Sequence, residues 1–205
     1  MLPKDILKAH YAEYGSQPDS WIENMESTKK SILQYIFETS RFQTAKSELK
    51  VVVLGTSDKR YIPMYQKILS ELFNQKIEFT LLDIDTEHLA GAEGVIQHDV
   101  TQPLPNGPYD VVISHALLKF LTDAEQLATI KNSFSALNDK GIAMHIVHPP
   151  ELEGTAELRD WQFRVRLDKL AEELDQAGIA PQIMRFESDS SVDWLRDTTA
   201  LVLRK

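Results

Sequence analysis

The chain contains no cysteine. That excludes a disulfide framework, a thiolate metal site and a cysteine nucleophile together. Glycine is also sparse, with 8 in 205 residues, so a phosphate-cradling loop built from several glycines has little material. Positive charge is in deficit. Lys and Arg total 22 against 31 Asp and Glu, a formal net charge of −9. Such a field repels polyanions on average, and no block of Lys and Arg offsets it, which argues against nucleic acid as a partner. The apolar runs are strand-sized, so no membrane span is expected. The opening "MLPKDILKAHYAEYG" lacks an apolar signal core. A cytoplasmic protein is the expectation, with its oligomeric state left open.

What is present reads as an alternation. Residues 1–49 are helical, with Ile6, Leu7, His10, Tyr11 and Tyr14 on one stripe. After "GSQPDS", one or two helices follow. Trp21, Ile22 and Met25 face one way, and Ile32, Leu33, Ile36 and Phe37 form the next stripe. From residue 50 the rhythm changes. "KVVVLG" suits a strand buried on both faces, and Pro63 suits the first position of a helix. "IEFTLLDID", "GVIQHDV", "YDVVISHAL" and "IAMHIVHP" read as further strands, with "DKG" a turn before the last of them. "TDAEQLATIKNSFSALN" is a helix capped by Thr122 or Asp123. "GTAELRDWQFRVRLDKLAEELDQAG" is expected to be one long helix with Phe163, Leu167, Leu170 and Leu174 on its core face. "PQIMRFES" and "TTALVLRK" are two final strands, joined by a polar stretch too short for a crossover helix and so expected to be antiparallel. The division is a helical cap over 1–49 and a doubly wound α/β domain over 50–205.

In such sheets ligands sit beyond the carboxyl ends of the strands. That selects the loops after Gly55, Asp83, Asp99, Ser114 with His115, and His148. Asp83 is placed to accept the hydroxyl hydrogens of a ribose, or to stand as an edge acid. Asp99 suits an exocyclic adenine amine or an Asx turn. No histidine spacing matches a metal signature, and His145 and His148 fall on opposite strand faces, so no metal is expected. His145 reads as a packed core histidine. His148 reads as a substrate contact or base, or as neither.

The stretch "GVIQHDVTQPLPNGPYDVVISHALLKFLTDAEQLATIKNSFSALNDKGIAMHIVHP" resembles the second half of a class I S-adenosylmethionine-dependent methyltransferase. An acid ends the third strand and a Pro-containing loop follows. Tyr109-Asp110 then opens the fourth strand, ahead of a helix and a "vLkpGG"-like turn. The resemblance covers residues 50–205 and implies a Rossmann-like seven-stranded sheet whose last strand is antiparallel. It implies S-adenosylmethionine as cofactor, with Gly55, Thr56 and Ser57 against its methionine end. Asp83, beside Ile84, would take the ribose, Asp99 the adenine amine, and Val100 would pack beside the base. Ser114 and His115 would lie near the transferred methyl. His10, Tyr11 and Tyr14 become substrate contacts on a lid, and His148 or His115 the base if one is used. The absence of "NPPY" after strand four, where "SHAL" stands, together with the acidic charge, favours a small-molecule acceptor.

The first loop departs from the family's acid–x–Gly–x–Gly–x–Gly. Val53 takes the acidic position, and Ser57 and Lys59 take those of the later glycines. Lys59 or Arg60 would then pair with the methionine carboxylate, or stay solvated. The eroded loop also keeps a second reading open, a protein that retains the fold without methyl transfer and acts through weak nucleoside binding or protein contacts. A nicotinamide-dependent oxidoreductase also wants Gly55 and Asp83. The Asp99 segment, the terminal strand pair and the single glycine count against it.

Overall fold

The computed structural model of the chain describes residues 3–149, 158–187 and 197–205. Helices α1 (Lys4–Gly15) and α2 (Asp19–Thr39) precede the sheet. Strand β1 (Glu48–Leu54), helix α3 (Tyr61–Phe73), β2 (Lys76–Asp83), β3 (Val95–Gln97) and β4 (Tyr109–His115) follow. Helix α4 (Asp123–Ser135), β5 (Leu137–Val147), α5 (Leu167–Gln176), β6 (Gln182–Glu187) and β7 (Asp197–Arg204) complete the chain. The seven strands form one sheet in the order β3-β2-β1-β4-β5-β7-β6. Strands β1 to β5 pair in parallel, and β7 is inserted antiparallel between β5 and β6. The expected Rossmann-like sheet with an antiparallel last strand is therefore observed.

Strand β1 shows why the sheet is central. Val51, Val52, Val53 and Leu54 are all essentially inaccessible. Alternate side chains enter the two cores on opposite faces, Val51 and Val53 on one, Val52 and Leu54 on the other. Full burial of each such side chain contributes about 1.5–3 kcal/mol, so the Val-rich run specifies a strand covered on both sides. Helix α2 supplies part of the first cover. Its buried residues Ile22, Met25, Ile32, Leu33, Ile36 and Phe37 keep a three-four spacing and join the same core as Val51, Val111 and Met144. Helix α4 starts at a capping box, in which Thr122 and Glu125 satisfy each other's backbone N–H groups.

Several expectations are corrected. The long helix is α5 alone. Residues 158–166 are not helical, and Phe163 is a half-buried residue ahead of the helix, where its backbone N–H donates to the Lys119 carbonyl. The opening residues of that predicted helix, 154–157, lie outside the described residues, as does 189–196 of the polar link between the final strands. Pro63 is the third residue of α3, a position that still lacks an intrahelical acceptor for its missing N–H. The "DKG" turn lies inside β5. The pairing of β5 with β4 jumps between Tyr109↔Leu137 and Val111↔Ile142, and Lys140 takes a φ of 66° within the jump. Among the described residues no helix is long and apolar enough to cross a membrane.

Candidate functional site

The strand order reverses between β1 and β4, and the crevice there opens beyond their carboxyl ends. A cavity of about 490 Å³ occupies it. Gly55, Thr56 and Ser57 follow β1, Asp83 and Ile84 stand at the end of β2, and Asp99 and Val100 follow β3. His115 enters from β4 and His148 from the end of β5, while His10, Tyr11 and Tyr14 descend from α1. Ser114 does not reach the cavity. It is fully buried on the opposite sheet face from His115 and lies 2.8 Å, Oγ to Nδ1, from His145. His145 is likewise fully buried, and burial lowers its pKa to about 3, which keeps it neutral.

Gly55 has φ +70°, and a Cβ built there would stand 3.0 Å from Leu117 Cδ1. The left-handed turn and the tight wall both favour glycine. The next amide, of Thr56, donates to Asp83 Oδ2 at 2.9 Å. Asp83 Oδ1 accepts from the Asp85 amide and from the Tyr11 hydroxyl, both at 3.1 Å. Burial raises the pKa of this carboxyl, and these bonds act against the rise. Tyr11 also stacks on His88, with ring centres 3.6 Å apart and planes 9° apart. Asp99 Oδ1 accepts from the amide and hydroxyl of Thr101, the Asx-turn arrangement.

Helix α1 is thus tied down over the cavity. His10 packs among Tyr14, Phe120 and Trp161, at centroid distances of 4.6, 5.0 and 6.0 Å. Burial, followed by the charge of Lys119, lowers its pKa to about 4. Arg159 holds Glu13 through two nitrogens at 3.1 and 3.3 Å, an exposed pair worth about 0–1 kcal/mol.

Of the two loop cations, one departs from both expected roles. Lys59 is exposed. Arg60 is partly exposed but ion-paired, and it does not line the cavity. Its guanidinium contacts buried Asp58 at 2.6 Å, Asp19 at 2.8 Å and the Gln17 carbonyl at 2.9 Å. It therefore joins the first loop to the turn between α1 and α2. Asp110, the acid that opens β4, is also structural. At the far end of the sheet it accepts from the Lys50 amide and Asn138 Nδ2 and pairs with Lys46.

One group was missed by sequence reasoning. Lys29 is 6% exposed, and its Nζ lies 2.7 Å from His115 Nδ1 and 3.2 Å from the Tyr65 hydroxyl. Burial lowers its pKa to about 7. His115 Nε2 lies 2.6 Å from His148 Nε2, and His148 Nδ1 lies 3.3 Å from Thr198 Oγ1. Burial holds the pKa of both histidines well below the ordinary value, with the charge of Lys29 as the next cause. A signal for Lys29 was present, because it continues the stripe Ile22, Met25, Ile32 on which every other member is apolar. Among the described residues no cluster of three or more His, Cys, Asp or Glu is placed to hold a metal ion.

No family model and no curated protein matches the sequence. Solved structures do match. A 1,6-didemethyltoxoflavin-N1-methyltransferase of Burkholderia thailandensis, with bound 1,6-didemethyltoxoflavin and S-adenosylhomocysteine, superimposes with a TM-score of 0.62 at 14% identity over 98% of this chain and 86% of that one. The N-methyltransferase NodS of Bradyrhizobium japonicum, in complex with S-adenosyl-L-homocysteine, gives 0.59 at 12% identity, covering 98% and 97%. This is the fold of the class I S-adenosylmethionine-dependent methyltransferases. A Listeria monocytogenes structure assigned to that class gives 0.58 at 12% identity, but the chain spans only 59% of its length. At these identities the likeness is one of fold, and within that methyltransferase fold the cavity lies at the switch point of the sheet.

Proposed function

We propose that the protein transfers a methyl group from S-adenosylmethionine to a small-molecule acceptor. One observation carries this reading: Gly55, Asp83, Asp99 and His115, at or just beyond the ends of four different strands, converge on a single cavity at the switch point. The residues fit the cofactor. Gly55 leaves a wall that a Cβ would crowd, and buried Asp83 offers a carboxylate for ribose hydroxyls once Tyr11 gives up its bond to Oδ1. Asp99 would meet the adenine amine, with Val100 and Ile84 beside the base, and Thr56 and Ser57 would face the methionine end. When bound, the cofactor supplies an electrophilic methyl. The protein's task is to hold a nucleophile in line with it and to keep water out.

Helix α1 serves as the lid, with His10, Tyr11 and Tyr14 toward the acceptor. A general base is needed only if the acceptor must lose a proton, and His115 and His148 stand at the cavity floor in neutral form. The aromatic walls and the acidic overall charge suit a small acceptor better than a polyanion.

The test is calorimetric binding and thermal stabilisation with S-adenosylmethionine, S-adenosylhomocysteine and NAD. Stabilisation by the two adenosyl ligands should grow with their concentration, and Asp83→Ala should abolish it. No response at millimolar ligand would overturn the reading and favour a protein that keeps the fold without the transfer. A response to NAD alone would favour an oxidoreductase.

A further inference from the structure

The floor of the cavity holds an arrangement that cofactor binding does not use. Lys29 is the only buried lysine among the described residues. None of them places a carboxylate against it. Its neighbours are His115 from β4 and Tyr61 and Tyr65 from α3, whose ring centres lie 4.9 and 5.2 Å from Nζ. Beyond them stand His148, from the end of β5, and the cation Lys119. A buried cation with no anion is expensive, so the site favours the neutral amine, in keeping with the pKa lowered to about 7.

The direction of these hydrogen bonds depends on the histidine tautomers, and one pattern leaves a base open. Donation from Lys29 to His115 Nδ1 leaves the His115 proton on Nε2, facing His148 Nε2. His148 must then accept there and carry its proton on Nδ1, toward Thr198. With Lys29 donating, both imidazoles have their acceptor nitrogens filled. In that pattern the lone pair of neutral Lys29 is the open base at the floor of the cavity.

We propose that Lys29 is the proton acceptor of this site and that the methyl acceptor is a flat ring bearing an acidic hydroxyl, a phenol or its heteroaromatic equivalent. The proposal rests on the methyltransferase reading. In the step, the ring O–H bond breaks, an N–H bond forms at Lys29 Nζ, and the electron pair stays on oxygen as a phenolate. Neutral amine and neutral phenol become an ammonium–phenolate pair, so charge and atoms balance. The pair supplies the anion that the buried cation lacks, and the oxygen left behind is the nucleophile. The walls suit a planar guest, since Phe120 and Trp161 stack with planes 15° apart and Tyr61 and Tyr14 face the same space. An alkyl ammonium acceptor would bring a second cation against Lys29, which contacts no carboxylate among the described residues.

The probe is 4-nitrophenol, whose phenolate absorbs at longer wavelength than its neutral form. Wild-type protein is titrated with it below the probe's solution pKa, with and without S-adenosylhomocysteine, and cofactor binding is followed separately by calorimetry. The bound probe should show the phenolate spectrum, and 4-nitroanisole, which has no proton to give, should bind at least about tenfold more weakly. Lys29→Met and Lys29→Gln should bind 4-nitrophenol only as the neutral phenol. A neutral spectrum in the wild type, a phenolate spectrum that survives both substitutions, or no binding of the probe would each overturn the assignment. Loss of S-adenosylhomocysteine binding with a retained phenolate spectrum would instead overturn the methyltransferase reading and leave Lys29 as the proton acceptor.

Discussion

Replacing Lys29 by methionine should stabilise the protein at neutral pH, and the gain should vanish as the pH rises. Burial moves the lysine from its ordinary 10.5 to about 7. At about 1.4 kcal/mol per unit, holding Lys29 charged in the fold costs about 5 kcal/mol. Methionine fills similar volume without charge. It also removes the bonds to His115 and Tyr65, which together offset about 2–3 kcal/mol. The expected net gain near pH 7 is about 2 kcal/mol. The sign of the pH dependence follows from proton counting. Between about 7 and 10.5 the unfolded chain carries a proton on Lys29 and the folded chain does not. Wild-type stability therefore rises through that window, by up to about 1.4 kcal/mol per pH unit, while the variant lacks this contribution. Urea unfolding of both proteins at pH 7, 8 and 9 measures the difference directly. The advantage of Lys29→Met should shrink with each step and reach zero near about pH 9. A difference that stays flat across the series would refute the claim that a buried, ionisable lysine is held at this site.

Other expectations follow from the same geometry. Burial lowers His10 to about 4 and His145 to about 3, and moves His115 and His148 down as well. Below the unfolded value of 6.5 the unfolded chain gains protons that the fold refuses, so stability should fall by about 1.4 kcal/mol per pH unit for each such histidine. Urea titrations from pH 7 to 5 test this, and an acid-insensitive stability would contradict it. Tyr11→Phe removes the hydroxyl that occupies Asp83 Oδ1 and should tighten S-adenosylhomocysteine binding by about 1 kcal/mol in calorimetry. Arg60→Met leaves the buried Asp58 carboxylate without its guanidinium partner and should lower stability by about 2–3 kcal/mol. In thermal melts part of that loss should return when Asp58→Asn is added.

The sheet was legible because its signal is local. The Val run of β1, the acid that ends β2 and the one just beyond β3, and the capping residues of α4 each report on neighbours within a few positions. The long-helix expectation failed at residues 158–166 because apolar spacing there reports burial, and a buried turn segment shares it with a helix. Ser114 failed differently. Consecutive strand residues point to opposite faces, so a strand end alone does not say which of Ser114 and His115 faces the cavity. The packing of α2 and α3 on the His115 side gives the answer. Arg60 was read as a cofactor contact or a solvated charge because Asp19 and the Gln17 carbonyl, which it binds, lie more than forty residues earlier.

Residue order alone determined the alternation of strands and helices, the absence of thiol chemistry and the acids at the strand ends, since each depends on residue type and short spacing. Tertiary structure decided what stands at the floor of the cavity. The apolar stripe of α2 marks Lys29 as buried, but His115 lies 86 positions away in sequence, and His148 a further 33. Whether a buried lysine becomes a neutral base depends on which charges are kept from it, and only the packing of α2, α3, β4 and the end of β5 sets that environment.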